Sequence, residues 1–408
     1  MIGLTSLVLK TVGFGGFDVL SPRLVLLDVV VVLGAGSFLW QAFAGWAPRL
    51  PEPASLPSVA AGCREPGART MRVMQIEGAW GPENIRPAER PDPVPGPGEV
   101  VIRMRAVSIN PRDLIMSQGG YGRRGGTLPL VPLCDGAGEI AAVGEGVTRV
   151  AVGDLVCPTY SRTWLHGTYG PDSWRGAHGG PLDGTAQELM LIPAAAVVRA
   201  PPHLSAAEAA TLPCAAVTAW NALVEQGGVR AGDVVLLQGT GGVALFALQF
   251  AKMHGCEVIL TSSSDAKLAR AKALGADHLI NYRSLPDWHE RARTITGGRG
   301  VDHIVEIGGA ATLERSLAAI RPSGTISLIG VLGGNAPALH LGRVVTRNVR
   351  LQGVTVGSRD TFEAMVRAIA LTGTRPVLEE RRFAFEKLGE ALAALPEGRH
   401  FGKLAGEL

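Results

Sequence analysis

One run of residues restricts this chain more than any other: AGDVVLLQGTGGVALFALQFAKMHG, from Ala231 to Gly255. Val234 to Leu237 is an unbroken apolar stretch of strand length, Gly239 to Gly242 is a glycine turn, and from Val243 to about Met253 apolar residues recur at helical spacing. Strand, glycine turn and helix in that order open a dinucleotide-binding unit. Gly239, Gly241 and Ala244 fill the G-x-G-x-x-G/A spacing. The first allows the tight turn, the second lets a pyrophosphate approach the backbone, and the small third residue lets helix and strand pack closely. Thr240, Gly242 and Val243 complete the set expected at the phosphates, which the helix N-terminus faces.

The next strand, Glu257 to Leu260, ends about twenty residues past the glycines, where an acidic residue normally hydrogen-bonds the ribose hydroxyls of NAD. This chain has Thr261, Ser262, Ser263 and Ser264 there, then Lys267, with no carboxylate before Asp265. Hydroxyls and an ammonium accept a 2′-phosphate through hydrogen bonds and charge, so the spacing predicts NADPH over NADH. Ser264 also reads as the N-cap of a helix ending near Leu274, with Gly275 just beyond it, and the two roles are compatible.

Length and charge narrow the function classes. A chain of 408 residues is long enough for two or three domains, and Lys plus Arg exceed Asp plus Glu by only three, too few for a nucleic-acid footprint. The expected partner is a small molecule. Cys63, Cys134, Cys157, Cys214 and Cys256 are scattered, odd in number and without a CxxC pair, and no HxxxH or HExxH grouping is present, so neither a disulfide framework nor a metal site is predicted.

The first 70 residues differ from the rest. An apolar stretch from Leu24 to Phe43 precedes a Pro- and Ala-rich segment, Pro48 to Thr70, that reads as a linker. Asp28 within the stretch costs about 2.5 to 3.5 kcal/mol on insertion, against about 0.3 to 0.6 kcal/mol gained by each large apolar residue, so insertion is marginal. Three readings stand: a translated region upstream of a functional start at Met71, a membrane anchor, and a secretory signal. The expected location is cytoplasmic, or membrane-anchored through residues 24–43 if that stretch is inserted.

From Arg72 onward short alternating strands are punctuated by turn residues: PGPGEV, VIRMRAV, GAGEIAAVGEGV and VGDLV, an antiparallel, barrel-like β region. A helical segment near Ala206 to Leu223 follows, and β and α patterns then alternate to about Ile329. With the glycine turn placed after that β region, residues 71–408 resemble the medium-chain dehydrogenase/reductase superfamily and look like its zinc-lacking branch near quinone oxidoreductases. PGPGEVVIRM, SINPRDL, CDGAGEIAAVGEGV, VGDLV, TLPCAAVTAWNAL, QGTGGVALFALQFAK, TSSSDAKLARAKALGADHLINY, GVDHIVEIGG and HFGKL carry the resemblance in order.

The resemblance implies an α/β chain in which a GroES-like β-barrel catalytic domain, residues 71–211 and 357–408, encloses a Rossmann domain of doubly wound parallel sheet at 212–356, with the active site between them. Zinc-dependent members hold their metal by a Cys, a His and a second Cys. The aligned positions here are Ile109 or Asn110, Cys134 and Cys214, an incomplete set, so no zinc is expected. Asn110 and Thr218 match residues beside the nicotinamide in similar quinone reductases. Tyr121, in GGYGRRGG, is a further candidate donor. Ser263, Lys267 and Tyr282 match positions around the 2′-phosphate, with Ser262 beside them. Gly308, Gly330 and Val331 fall in loops lining the adenosine or nicotinamide end, and Lys403 in HFGKL carries over more loosely as a cofactor residue. Pro111 removes a backbone donor next to Asn110. Asp113 and Asp135 read mainly as carboxylates accepting turn N–H groups, and Arg123 and Arg124 as solvated charge.

The implied activity is hydride transfer from NADPH to a quinone or α,β-unsaturated carbonyl without zinc. A zinc-independent NAD(P)-dependent alcohol dehydrogenase is the nearest alternative, and a non-catalytic NADPH-binding protein an alternative of another class. Similar proteins lead one to expect a homodimer.

Overall fold

The computed structural model describes residues 69–336 and 339–408. The apolar stretch at 24–43 lies outside the described residues, as does all of the proline-rich segment except its last two positions. No helix among the described residues is long and apolar enough to cross a membrane.

The first strand among the described residues, β1 (Thr70–Ile76), runs antiparallel to β2 (Ile85–Pro91) in a register that pairs Thr70 with Pro91. Thr70 is therefore already part of a strand rather than of the linker. A larger sheet follows from β3 (Glu99–Ser108), β4 (Asp135–Val143), β5 (Leu155–Pro158), β6 (Leu189–Pro193) and β7 (Val197–Arg199). The middle of β3 follows the two-residue period: Arg103 and Arg105 face solvent while Ile102, Met104 and Ala106 are buried. Two register shifts between β3 and β4 bend the pair, as a sheet curling toward a barrel requires.

The second sheet is wholly parallel. Its strands are β8 (Val234–Gln238), β9 (Glu257–Ser262), β10 (His278–Asn281), β11 (Val301–Glu306), β12 (Ile320–Leu328) and β13 (Arg350–Gly353), in the order β10-β9-β8-β11-β12-β13. β8 and β11 are buried throughout because helices cover both faces. Leu237, Leu260 and Val305 pack with Phe246 and Phe250 on one side, and Leu236, Ile259 and Ile304 with Trp288 and Leu317 on the other. The order reverses beside β8, which opens a crevice at the carboxyl ends of the strands.

Two departures from the sequence reading shape the site. The helix expected over 206–223 is a composite: α-helix at Ala206–Ala209, π-turns at Leu212–Ala216, α-helix at Val217–Trp220 and π-turns at Asn221–Glu225. Pro213, which has no N–H to donate, sits in the first widened turn. After the helix Arg359–Thr372, the chain returns to the first sheet as β14 (Phe383–Ala384) and β15 (Ala405–Glu407), the latter antiparallel to β3. On the way Gly402 bridges Gly241, its N–H donating to the Thr240 carbonyl at 3.0 Å. The C-terminal segment thus lies against the glycine turn.

Candidate active site

At the carboxyl edge of the parallel sheet, Gly239 has φ +80°, a left-handed conformation that admits glycine and strains most other residues. A side chain added at Gly241 would meet nothing within 4 Å, whereas one at Gly242 would lie 2.5 Å from Cδ of Lys403. Gly241 therefore faces open space and Gly242 is pressed from behind. The helix Gly242–Met253 starts without a side-chain cap, so its first N–H groups point to that space unanswered. Thr240 is buried. The cradle fits a pyrophosphate.

The neighbouring loops gather at the same edge. Ser262 ends β9 and is buried, and Ser264 caps the helix Asp265–Ala273 by accepting the Lys267 N–H. Tyr282, directly after β10, donates its N–H to the Ser262 carbonyl at 3.0 Å and exposes its side chain. The Lys267 ammonium donates to the carbonyls of Gly398 and, at 2.8 Å, His400. After β11, Gly308 and Gly309 are held by Glu306, a fully buried carboxylate that accepts their N–H groups at 2.8 and 3.1 Å and the Gln238 amide at 2.6 Å. Gly330 and Val331 follow β12, and Val331 is exposed. The Gln238–Glu306 pair was missed from sequence because a glutamate closing an apolar strand carries no local signal.

The pocket floor is built from residues far apart in the chain. Asp135 opens β4 and is fully buried; its Oδ1 accepts the Cys214 N–H at 2.8 Å and its Oδ2 accepts Ser108 Oγ and Asn110 Nδ2, each at 2.8 Å. Lys403 meets the same oxygen at 3.0 Å and donates also to Asn110 Oδ1 at 2.6 Å and the Ile109 carbonyl at 2.9 Å. All three ammonium hydrogens are used. Lys403 thus presses its stem on the glycine turn while its charge is aimed at the Asp135 carboxylate. Asn110 is equally committed, since its amide nitrogen reaches Asp113 Oδ2 at 3.3 Å as well as Asp135. Asp113, in turn, accepts the backbone N–H groups of Asn110 at 2.8 Å and Cys134 at 3.3 Å, and burial raises its carboxyl above the usual range against the pull of Arg112. Pro111 takes the first position of the helix Pro111–Ser117, where a missing N–H costs nothing.

Above this floor stand Cys134, Cys214, Thr218, Arg112, Tyr160 and Tyr121. Burial, then the neighbouring Cys214, pushes the Cys134 thiol well above its ordinary range, which favours the neutral thiol. Thr218 gives its hydroxyl hydrogen to the Cys214 carbonyl at 2.6 Å and keeps only acceptor capacity. Tyr121 packs against Trp174 with the rings tilted by 52° and their centroids 5.0 Å apart, and its hydroxyl has no hydrogen-bond partner among the described residues. Tyr160 lies under the Arg112 guanidinium at 4.9 Å, and burial raises its hydroxyl. Arg112 and Tyr160 were not singled out from sequence, although Arg112 sits in the SINPRDL motif itself.

With this geometry in hand, similarity to known proteins becomes specific. Residues 96–202 match the family described as "Alcohol dehydrogenase GroES-like domain" and residues 242–370 match "Zinc-binding dehydrogenase". A "Zinc-type alcohol dehydrogenase-like protein" of Schizosaccharomyces pombe is 43% identical over 314 residues, which span 76% of this chain and 90% of the relative. The chain belongs to the medium-chain dehydrogenase/reductase superfamily. As a member of it, the chain is an NAD(P)-dependent oxidoreductase.

Solved structures of the superfamily agree in fold. An NAD-dependent alcohol dehydrogenase is 34% identical with a TM-score of 0.76, covering 83% of this chain and 100% of its own. A quinone oxidoreductase of Pseudomonas syringae pv. tomato is 26% identical with a TM-score of 0.71, again covering 83% and 100%. The positions aligned with the metal ligands of zinc-dependent members meet beside Asp135. Asn110, Cys134 and Cys214 occupy the corner, the Asn110 oxygen is taken by an ammonium, and among the described residues no three His, Cys, Asp or Glu side chains group as a metal would need.

Proposed function

We propose that this member of the superfamily is an NADPH-dependent reductase of quinones or α,β-unsaturated carbonyls that works without zinc. The observation that carries the reading is Lys403 Nζ at 2.6 Å from Asn110 Oδ1 and 3.0 Å from Asp135 Oδ2. Two thiols, a bonded amide and a resident ammonium are a poor zinc site on ligand number, ligand type and charge. In support of NADPH are the Ser262 to Ser264 hydroxyls with Lys267 and Tyr282 beside them, and no carboxylate at the ribose position.

When bound, the nicotinamide supplies a hydride to the acceptor. The chain's own part is to hold the phosphates on the Gly239–Gly242 turn, to line the cleft with Cys134, Cys214 and Thr218, and to protonate the reduced acceptor. Tyr121, half-buried and with a free hydroxyl, is the donor that fits the last task. The alcohol dehydrogenase alternative draws on the 34% identity to an NAD-dependent alcohol dehydrogenase and on Lys267, whose ammonium already has two carbonyl partners.

The test is to follow NADPH oxidation by the purified protein against quinones, enones and aldehydes, with NADH as control, and NADP⁺ reduction by alcohols, each with and without a zinc chelator. Turnover of quinones or enones, preference for NADPH and indifference to the chelator are expected. Loss of activity with the chelator, or turnover of alcohols alone, overturns the reading.

A further inference from the structure

Reduction of a quinone or enone puts negative charge on the acceptor oxygen as the hydride arrives at carbon. The electron pair of the carbon–oxygen or conjugated π bond moves onto oxygen and stays there until a proton comes. Something in the pocket must face that charge, and the inference rests on the reductase reading above. The hydrogen-bond inventory leaves few groups to do it. Both ends of Asn110 are engaged, Thr218 has spent its hydrogen, and Lys403 has used all three of its own.

Arg112 is different. Its side chain is only 11% exposed, yet no carboxylate lies within hydrogen-bond reach: the nearest, Asp113 Oδ1, is 3.7 Å away and already accepts the Cys134 N–H. Two of its five N–H groups go to neutral carbonyls, those of His178 at 3.0 Å and Gly180 at 3.4 Å. The other three have no partner among the described residues. Tyr160 offers only the face of its ring. Burying a guanidinium without a hydrogen-bonded anion is expensive, and such a charge is retained where a ligand completes it.

The geometry points to Arg112 as the residue that stabilises the oxyanion of the reduced acceptor, a planar donor fork beside Cys134 that performs electrostatically what a metal does in zinc-dependent relatives. Arg112 Nη1 and the Cys134 N–H both approach Asp113 Oδ1, at 3.7 and 3.3 Å, and the Tyr160 ring lies 4.9 Å from the guanidinium, so Arg112, Cys134 and Tyr160 are neighbours. A quinone or enone oxygen, flat and unable to donate, suits a fork that can only donate.

Two measurements on the full chain test this. In the NADP⁺ complex, 4-nitrophenol serves as an oxyanion probe whose ionised form absorbs in the visible. The wild type should bind the phenolate and lower its ionisation midpoint, Arg112→Lys should keep part of that shift, and Arg112→Met should abolish it while binding NADP⁺ normally. With a turned-over acceptor, Arg112→Met should lose about a hundredfold in kcat with KM little changed, and added guanidinium should restore part of the rate. A wild type that takes up no phenolate, an Arg112→Met protein that takes it up equally, or a loss confined to KM overturns the proposal. If no quinone or enone is turned over, the reductase reading fails, and the phenolate titration still decides for or against Arg112.

Discussion

Two cations of the candidate site, the buried Lys403 and the largely buried Arg112, are treated in opposite ways. Lys403 is saturated, with a carboxylate, an amide oxygen and a carbonyl taking its three hydrogens between 2.6 and 3.0 Å. Arg112 is held by two carbonyls and an aromatic face and has no carboxylate closer than 3.7 Å. A saturated charge is part of the scaffold, because removing it leaves its partner buried and unpaired. An unsaturated one is available to a ligand. The lesson is that burial alone does not tell a structural charge from a working one; the partner count does.

The sharpest way to break this contrast is Lys403→Met. It strands Asp135 in the core, and losing one member of a buried ion pair costs about 3 to 5 kcal/mol, so the denaturation midpoint should fall far below that of the wild type. Asp135→Asn combined with Lys403→Met should recover part of the loss. A midpoint unchanged in the single variant would mean that the ammonium is not what holds the pocket floor.

Arg112→Met should invert the pattern. With only two carbonyl partners deprived, stability should fall by about 1 to 2 kcal/mol, while kcat falls about a hundredfold. Equilibrium unfolding and steady-state kinetics on the same preparation check both halves. Equal damage to stability by both variants would erase the distinction.

The contrast also explains what was legible in the sequence. The glycine turn is a local device, with Gly239, Gly241 and Ala244 within six residues of one another, so spacing alone locates it, and the buried parallel strands follow from apolar runs of fixed length. The pocket floor is assembled across the whole chain: Lys403 meets a carboxylate 268 residues earlier and an amide 293 residues earlier. Nothing near HFGKL announces that its lysine turns inward. Arg112 lies in the SINPRDL motif, but the carbonyls that hold it are 66 and 68 residues away. Asn110 and Thr218 are expected beside the nicotinamide from the resemblance, yet whether their polar atoms are free is a property of tertiary hydrogen bonds, which no spacing encodes.

A smaller effect is expected at Lys267, which stands between the two extremes. Its ammonium donates to two carbonyls, as Arg112 does, but it is partly exposed, and burial draws its pKa somewhat down. Lys267→Ala should weaken NADPH binding about tenfold, roughly 1.4 kcal/mol, and leave NADH nearly unchanged in a fluorescence titration. Equal losses for both cofactors would place the 2′-phosphate elsewhere.

The smallest effect at neutral pH, and the cleanest in acid, belongs to Asp302, where saturated pairing occurs nearer the surface. Its carboxylate is bound by Arg299 at 2.7 Å through both oxygens, by Arg321 at 2.5 Å and by the Val234 N–H at 2.8 Å. Burial works against its ionisation, but these partners outweigh it and hold the pKa at about 2, below the ordinary 3.8. A depressed folded-state pKa stabilises the native protein above the unfolded value, and the contribution disappears as pH falls from about 4 through about 2. Asp302→Asn keeps the side-chain shape and removes the titration. Its unfolding midpoint should therefore sit slightly below that of the wild type at pH 7, where arginines on a solvent-accessible face are partly screened, and the gap should close as pH drops through that window. A gap that stays constant with pH would mean that the carboxylate's charge adds nothing, and that even a well-bonded ion pair at the start of β11 acts only through shape.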